Sequence, residues 1–164
     1  PSLRLSRRSP SVAKAEVLPL TEADIPGILP IIRQADRDEI EGALQIDLST
    51  AIADGLSDCC KASKIVVDGH VVAIFGDTSH DGRTGIPWLI STVHVERYPR
   101  AFLQVCKPEV AEMLTRHESL LNFVDVRNTV AIRWLEWLGF TFGEPVGYGP
   151  LEMPFKPFCM TRSA

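Results

Sequence analysis

The stretch Ser119–Gly143, SLLNFVDVRNTVAIRWLEWLGFTFG, decides the fold. It opens with an apolar, β-prone run, Leu120–Val126, which predicts a buried strand. Asn128 then suits a helix N-cap, because its side-chain oxygen can accept a hydrogen bond from a backbone N–H of the first turn. Gly139 stands where a left-handed residue ends a helix. The stretch therefore predicts a strand, a capped helix and a second strand.

The helix of this stretch has one apolar face. Its apolar residues recur at steps of three, four and seven, which is the pattern of an amphipathic helix: Ala131, Trp134, Leu135 and Leu138. We expect the helix, about Thr129–Leu138, to pack on the sheet through Ala131, Leu135 and Leu138. Phe140 and Phe142 restart an alternating strand.

This unit resembles the C-terminal signature of the GNAT (Gcn5-related N-acetyltransferase) fold. The pattern of that family runs strand, Asn, two residues, Ala-Ile, a Tyr, and Leu-Gly-Phe. The matching positions here are Asn128, Ala131, Ile132, Leu138, Gly139 and Phe140. The resemblance implies an α/β fold (α+β mixed sheet) wrapped by helices, the GNAT-like acyl-CoA N-acyltransferase fold.

The composition is that of an ordinary globular protein with a basic N-terminal segment. With 164 residues, 45% hydrophobic and 23% charged, one domain is expected over residues 16–164. No apolar run reaches the ~20 residues of a membrane helix, and the N-terminus lacks the apolar core of a signal peptide.

Residues 1–15 hold four bases and no acid, which predicts a basic N-terminal arm. Four cysteines without metal spacing predict free, mostly buried thiols.

The remaining chain predicts the GNAT order of elements. Asp68-Gly69 between two apolar runs indicates a type I′ hairpin. The other predicted elements are a strand at 16–20, a helix from Thr21 interrupted by Pro26 and Pro30, helices at 36–45 (Ile40 and Leu44 inward) and 47–56, a strand at 86–95, and a helix at 98–117 with a kink or break at Pro108. The segment 146–158 suits an edge strand with bulges or an extended tail.

The resemblance also implies a coenzyme turn, which this sequence alters. In the family, a glycine-rich turn after the fourth strand offers backbone N–H groups to the pyrophosphate of coenzyme A. The matching segment, Val95–Phe102, contains no glycine, and Pro99 removes one N–H donor. Arg97 and Arg100 favour a phosphate there, whereas Glu96 opposes one. We therefore predict no coenzyme in this turn.

The general acid of the family is missing as well. The family often uses a Tyr seven residues after the Asn to protonate the departing thiolate, and this position is Leu135. Trp134 and Trp137 have no useful acid chemistry. Asn128, which can contact the pantetheine arm in the family, is explained here by its capping role.

Other candidates for chemistry are weak. His94 lies where the catalytic base of the family is sometimes found, but it also suits a solvent-facing strand position. His80 and Asp81 lie in a turn-rich loop, Ser91 and Thr92 lack triad partners, and Glu109 and Glu112 form a helix-surface pattern. The four histidines are too far apart in sequence to suggest a metal site. We predict no catalytic, cofactor-binding or metal-binding residue.

The resemblance narrows to the GNAT-like internal virion proteins of short-tailed bacteriophages. It is carried by WLISTVHVERYPRAF, FVDVRNTVAIRWLEWLGF and the closing PFKPF segment. It implies a non-enzymatic structural protein, made in the host cytoplasm and packaged in the virion, without a cofactor. The alternative is an active N-acetyltransferase that uses acetyl-CoA on a small amine or peptide.

The two ends of the chain are the expected partner contacts. Arg4, Arg7 and Arg8 suit acidic or carbonyl-rich surfaces of other virion proteins. Phe155 and Phe158 either anchor a neighbouring subunit or complete the sheet of this chain. Four bases give few phosphate contacts, so a nucleic-acid role is not expected.

Overall fold

The computed structural model describes residues 13–164, which form one eight-stranded mixed sheet with helices on both faces. The strands are β1 (Ala15–Pro19), β2 (Cys59–Val67), β3 (His70–Ser79), β4 (Thr84–Ser91), β5 (Ser119–Asp125), β6 (Thr141–Phe142), β7 (Val146–Tyr148) and β8 (Met153–Thr161). The helices are α1 (Ile25–Ile28), α2 (Gln34–Leu44), α3 (Leu48–Ser57), α4 (Pro99–Arg116) and α5 (Thr129–Leu138). Three short 3-10 turns lie at Glu22–Asp24, Leu29–Ile31 and Val93–Glu96.

The order of strands across the sheet is β1-β2-β3-β4-β5-β8-β6, and β7 pairs with β8. Neighbouring strands are antiparallel except β4 and β5, which are parallel. The predicted mixed sheet is therefore confirmed.

Two cores cover the two faces of the sheet. One core packs α4 and α5 against the sheet through Phe102, Leu135 and Leu138, with Ala131 at its margin. The other packs α2, α3 and the α1 region through residues such as Leu48 and Ile52. The apolar face predicted for α5 is therefore core.

The local signals in the sequence produce the expected elements. Asp68 and Gly69 both have positive φ, as a type I′ turn requires. Gly139 ends α5 with φ of 104°. The segment after Thr21 forms 3-10 turns around a single turn of α-helix, as Pro26 and Pro30 predict.

Three predicted details are corrected by the structure. The fourth strand ends at Ser91, not Val95, because Thr92 turns the chain and caps a 3-10 turn with its side chain. Of the kink or break predicted at Pro108, the structure excludes the break, because the fourth helix is one α-helix from Pro99 to Arg116. Leu44 is 37% exposed, and Ala43 is the buried residue at that end of α2.

The C-terminal segment joins the sheet of this chain. β8 lies between β5 and β6, and Phe155 and Phe158 are buried in it. The sequence left open whether these rings anchor a neighbouring subunit or complete the sheet of this chain, and the structure supports the second alternative. The edge-strand prediction is wrong for β8, which has neighbours on both sides.

The cysteines are less buried than predicted. Cys106 is buried, whereas Cys60 and Cys159 are exposed, and all four are free.

No helix among residues 13–164 is long and apolar enough to cross a membrane. Most of the predicted arm, residues 1–12, lies outside the described residues, and Ala15 already pairs with Val67.

Candidate functional site

The sheet splits between β4 and β5. These strands pair only at Thr84–Ser119 and Gly85–Leu120. Beyond that point Pro87 offers no N–H, and its carbonyl accepts a hydrogen bond of 2.7 Å from Asn122 Nδ2. The Asn122 side chain therefore takes the place of a backbone hydrogen bond between β4 and β5, and the two strands separate beyond it.

The split opens a groove of about 740 Å³ that has walls on both faces of the sheet. On one face it is lined by α2 and α3, and on the other by the first turn of α4 and by Val130, Ala131, Trp134 and Leu135 of α5. The C-terminal half of β4 forms its floor, where Leu89 has no neighbouring strand on the β5 side. The groove is large enough for a small ligand.

Two half-buried carboxylates of α2 face this groove, and both have raised pKa values. Asp36 Oδ1 accepts a hydrogen bond of 3.2 Å from Ser91 N–H at the free edge of β4. Burial raises the pKa of Asp36, and the Ser91 N–H and the Arg33 guanidinium only partly oppose that rise. Burial also raises the pKa of Glu39, although its hydrogen bond from Asn128 lowers it. The groove is therefore acidic on the α2 side.

Asn128 connects α5 to α2 across the split. Its Oδ1 accepts a hydrogen bond of 3.1 Å from Ala131 N–H, which confirms the predicted cap. Its Nδ2 donates to Glu39 Oε2 at 2.5 Å. Glu39 Oε1 also accepts a longer hydrogen bond, 3.4 Å, from the backbone N–H of Asp125. One side chain therefore caps a helix and binds a groove carboxylate at the same time.

A tyrosine of β7 lies on the same wall as these carboxylates. Tyr148 is half-buried, and its ring lies 5.0 Å from Phe123 and 4.7 Å from Phe155, centroid to centroid. Burial raises the pKa of its phenol, so the phenol is protonated at neutral pH and can donate a proton. By contrast, Leu135 is 5% exposed and has no donor.

The loop after Tyr148 bears directly on α2. Gly149 has φ of 71°, and a Cβ atom there would overlap the carbonyl oxygen of Ala43. Only glycine allows this approach in this conformation. The β7–β8 hairpin and α2 therefore form one wall of the groove.

The turn between β4 and α4 is closed by its own hydrogen bonds. The N–H of His94 donates to Thr92 Oγ1 at 3.2 Å, and the N–H of Val95 donates to Thr92 O at 3.2 Å. The N–H groups of Arg97 and Tyr98 donate to His94 O and Val95 O at 3.1 and 3.2 Å. These four N–H groups are therefore engaged within the chain, and Pro99 offers none.

The charged side chains of this turn do not restore such a cradle. Arg97 lies over the ring of Tyr98, with Cζ 5.4 Å from the centroid. The Glu96 carboxylate lies 3.9 Å from the Arg33 guanidinium and is 76% exposed. Glu96 therefore places negative charge at the mouth of the groove.

Of the other candidates from the sequence, Ser91 lines the groove, whereas His94, Asp81 and Thr92 do not. The His94 ring packs against His70, 4.5 Å between centroids, and does not line the groove. Asp81 accepts hydrogen bonds from the N–H groups of Arg83 and Thr84, which explains it as a loop residue. Thr92 Oγ1 donates to Val71 O at 2.6 Å. Thr92 is therefore occupied by structural bonds.

Sequence reasoning missed the acidic wall. Asp36 and Glu39 are three residues apart, so they share one helix face, but α2 carries other acids and no local signal separates the groove face from a solvated face. Tyr148 lies in a Gly/Pro-rich segment with no motif. Each of these residues becomes notable only through contacts with distant parts of the chain.

Comparison with known proteins places the fold among acetyltransferases. No protein-family model matches this sequence, and no curated protein sequence matches it. Solved structures do match. The structure of AAC(6')-Ib in complex with ribostamycin and coenzyme A superposes with a TM-score of 0.68 at 13% identity, covering 91% of this chain and 94% of that chain.

Two further structures give the same result. The ribosomal-protein-S18-alanine N-acetyltransferase from Escherichia coli has a TM-score of 0.66 at 15% identity, with 92% of this chain and 95% of that chain covered. A GNAT family acetyltransferase from Elizabethkingia anophelis with acetyl-CoA bound has a TM-score of 0.61 at 12% identity, with 91% and 99% covered. At these identities the likeness concerns the fold, and this chain has the GNAT acyl-CoA N-acyltransferase fold.

Proposed function

We propose that this chain is a non-enzymatic interaction protein built on a GNAT-like scaffold. The observation that carries the proposal is the turn from Thr92 to Tyr98, whose backbone N–H groups donate within the chain. A coenzyme pyrophosphate would have to compete with these bonds. Each intramolecular hydrogen bond contributes about 0.5–1.5 kcal/mol, so unwinding the turn carries a real cost.

Two features of the groove support the same proposal. Leu135, buried at the position of the family's general acid, can neither donate nor accept a proton. Asn128, which can contact pantetheine in the family, already donates its amide to Glu39. The groove therefore retains its shape but not the coenzyme contacts that the resemblance implies.

The finer role that we propose is that of a virion protein of a bacteriophage, made in the host cytoplasm. This rests on the resemblance to the GNAT-like internal virion proteins of short-tailed bacteriophages. Partner contacts through the basic arm would use Arg4, Arg7 and Arg8. In the C-terminal segment, Lys156 and Pro157 are the positions between the buried Phe155 and Phe158 that retain partial exposure.

The arm can be tested directly. Deleting residues 1–12 spares β1, which begins at Ala15. The truncated chain is expected to fold and to be lost from the assembled particle. Replacing Arg4, Arg7 and Arg8 by Ser keeps the length of the arm and tests its charge alone. Incorporation of both variants at the normal level would contradict the arm as a contact.

A second candidate function, amine N-acetylation, is favoured by the acidic wall of the groove and by the fold comparisons. The raised pKa of Glu39 suits a carboxylate that accepts a proton from an ammonium group, with Asp36 adding negative charge. Tyr148 supplies a protonated phenol on the same wall. The neighbours bound to coenzyme A or acetyl-CoA give this candidate its cofactor by analogy.

Calorimetry separates the two candidates. Acetyl-CoA and S-acetylpantetheine share the arm that would lie in the groove, but only acetyl-CoA carries the pyrophosphate. An interaction protein with a closed turn binds acetyl-CoA no more tightly than S-acetylpantetheine. A chain in which Pro99 and Ala101 are replaced by Gly and Leu135 by Tyr is the matched gain-of-function variant.

The outcomes are distinct. Tight acetyl-CoA binding by the unmodified chain, with acetylation of a polyamine that Glu39→Gln and Tyr148→Phe abolish, would overturn the first candidate and establish the second. Equal and weak binding of both compounds, with no acetylation, supports the first.

A further inference from the structure

A second cluster of chemically active side chains lies away from the groove. Cys60 of β2, Asp77 of β3 and His117, which follows α4, place a sulfur, a carboxylate oxygen and a ring nitrogen within 4.8 Å of one another. None of the three lines the groove. We propose that Cys60, Asp77 and His117 bind a divalent transition metal, with zinc as the natural occupant.

A β-bulge brings Cys60 into the cluster. Cys59 pairs with Thr78 and Lys61 pairs with Asp77, so Cys60 is the extra residue between two consecutive pairs. A bulge re-aims the side chain that it carries, and bulges are enriched beside functional sites. Without the bulge, strict alternation would point Cys60 away from the face that Lys61 and Asp77 share. The irregularity therefore places a thiol beside a buried carboxylate.

Gly85 makes room for the histidine. A Cβ atom at Gly85 would overlap the His117 ring, so the ring lies directly against the backbone of β4. His117 is 3% exposed and Asp77 is 0% exposed, whereas Cys60 is exposed. Two ligands are thus held rigidly inside, and the third lies at the surface where a metal ion can enter.

The donor set suits zinc. Thiolate, imidazole and carboxylate are the three ligand types that zinc uses, at about 2.0–2.3 Å in tetrahedral geometry, and a three-residue site leaves one position for water. Soft sulfur disfavours magnesium and calcium. The ligand atoms lie within 4.8 Å of one another, so metal binding requires Cys60 to move inward and the hydrogen-bonded pair of His117 and Asp77 to separate.

Metal binding changes the protonation of the ligand side chains. Nε2 of His117 and Oδ2 of Asp77 lie 2.6 Å apart in a hydrogen bond that a metal ion would replace. The ion would bind Nε2 of a neutral His117 that carries its proton on Nδ1, the carboxylate of Asp77 and the thiolate of Cys60, so the thiol proton of Cys60 leaves to solvent. Arg116 donates to both oxygens of Asp77, from Nη2 to Oδ1 at 2.6 Å and from Nε to Oδ2 at 3.2 Å, and so orients the carboxylate from outside.

The surrounding charges accommodate an added cation. Arg116 and Lys61 are both paired with Glu112, through Nη1 at 3.2 Å and Nζ at 2.5 Å. Glu109 adds a further acid beside this pair. With Asp77 and a thiolate at Cys60, the cluster carries four negative and two positive charges. A divalent ion balances them.

Cobalt substitution tests the site on the full chain. Cobalt(II) bound to a thiolate gives a ligand-to-metal charge-transfer band, and we expect this band to saturate at one ion per chain and to disappear when zinc is added. Cys60→Ser changes an exposed residue, so it keeps the fold while removing the sulfur. We expect it to abolish the band and to weaken binding at least about 10-fold, since even outer partners of a metal site have that effect.

Controls separate this cysteine from the others. Cys159→Ser removes another exposed thiol and should leave the band intact. His117→Gln and Asp77→Asn should also lose the band, with circular dichroism as the check on folding. The proposal is overturned if the unmodified chain gives no saturating thiolate band, or if Cys60→Ser retains it. Neither result bears on coenzyme binding in the groove.

Discussion

Two strand-to-helix connections flank the groove, and they differ in where their hydrogen bonds point. Between β5 and α5, Asn128 projects its amide across the split to Glu39. Between β4 and α4, four N–H groups donate back into their own turn, those of His94, Val95, Arg97 and Tyr98. The first connection keeps polar groups facing the groove, and the second withdraws them. Two connections of the same kind therefore present different polar groups beside one groove.

Truncating the buried Leu135 of α5, the helix that follows the first connection, should have the largest effect. Leu135→Ala truncates a buried side chain of α5 and is expected to lower the free energy of unfolding by about 2–5 kcal/mol. Urea denaturation measures this loss. Val130→Ala is the matched control on the same helix, because Val130 is 68% exposed, and it should cost less than about 0.5 kcal/mol. Similar losses for the two variants would mean that this face of α5 is not core.

Removing the hydrogen bonds of Thr92 that hold the second connection should have the next largest effect. Thr92→Val is nearly isosteric but deletes the hydroxyl that donates to Val71 O and accepts from His94 N–H. Leaving buried partners unsatisfied costs about 1–3 kcal/mol. Ser91→Ala, at the adjacent buried residue, leaves both bonds in place and should cost less in the same thermal or urea series. An unchanged stability of Thr92→Val would show that the turn is not held by these bonds.

The two roles of Asn128 can be separated by a pair of variants. Asn128→Ala loses both the cap and the bond to Glu39, and loss of a cap costs about 0.5–2 kcal/mol. Asn128→Ser keeps a capping oxygen but has no amide to reach Glu39. We expect Asn128→Ser to recover most of the unfolding free energy measured by urea. Equal destabilisation by Ala and Ser would assign the stability to the Glu39 contact instead.

The smallest predicted effect depends on pH. The pKa of Glu39 is raised above its ordinary value of 4.5, so the folded state binds this proton more tightly than the unfolded state. Stability therefore falls as pH rises from about that value through the folded pKa. Glu39→Gln removes this dependence and should gain stability relative to the parent as pH increases across that window.

Urea midpoints at several pH values measure the difference between the parent and Glu39→Gln. Asp38→Asn, on the exposed side of α2, is the control and should follow the parent curve. A pH-independent difference between Glu39→Gln and the parent would contradict a raised pKa at Glu39.

Features set by neighbouring residues were predictable from the sequence. The cap at Asn128, the left-handed Gly139 and the Asp68-Gly69 turn each depend on contacts within a few residues, and each appears as expected. Ala43 replaced Leu44 as the buried residue of α2 because the packing partners of that helix are distant in sequence.

Features set by distant residues were not predictable in the same way. Glu39 meets Asn128 across 89 positions, and Asp77 meets His117 across 40. The end of β4 depended on the side chain of Thr92 finding Val71 O. The widely spaced histidines suggested no metal site because the other ligands come from two strands and a bulge. Spacing along the chain carries no information on such pairs.

The double use of Asn128 has a consequence for how such a chain changes over generations. Its side chain caps α5 and also holds the two sides of the split together. Selection for a folded protein alone is therefore enough to keep an asparagine at this position. A match at this position of the signature is thus evidence for the fold and not for an activity.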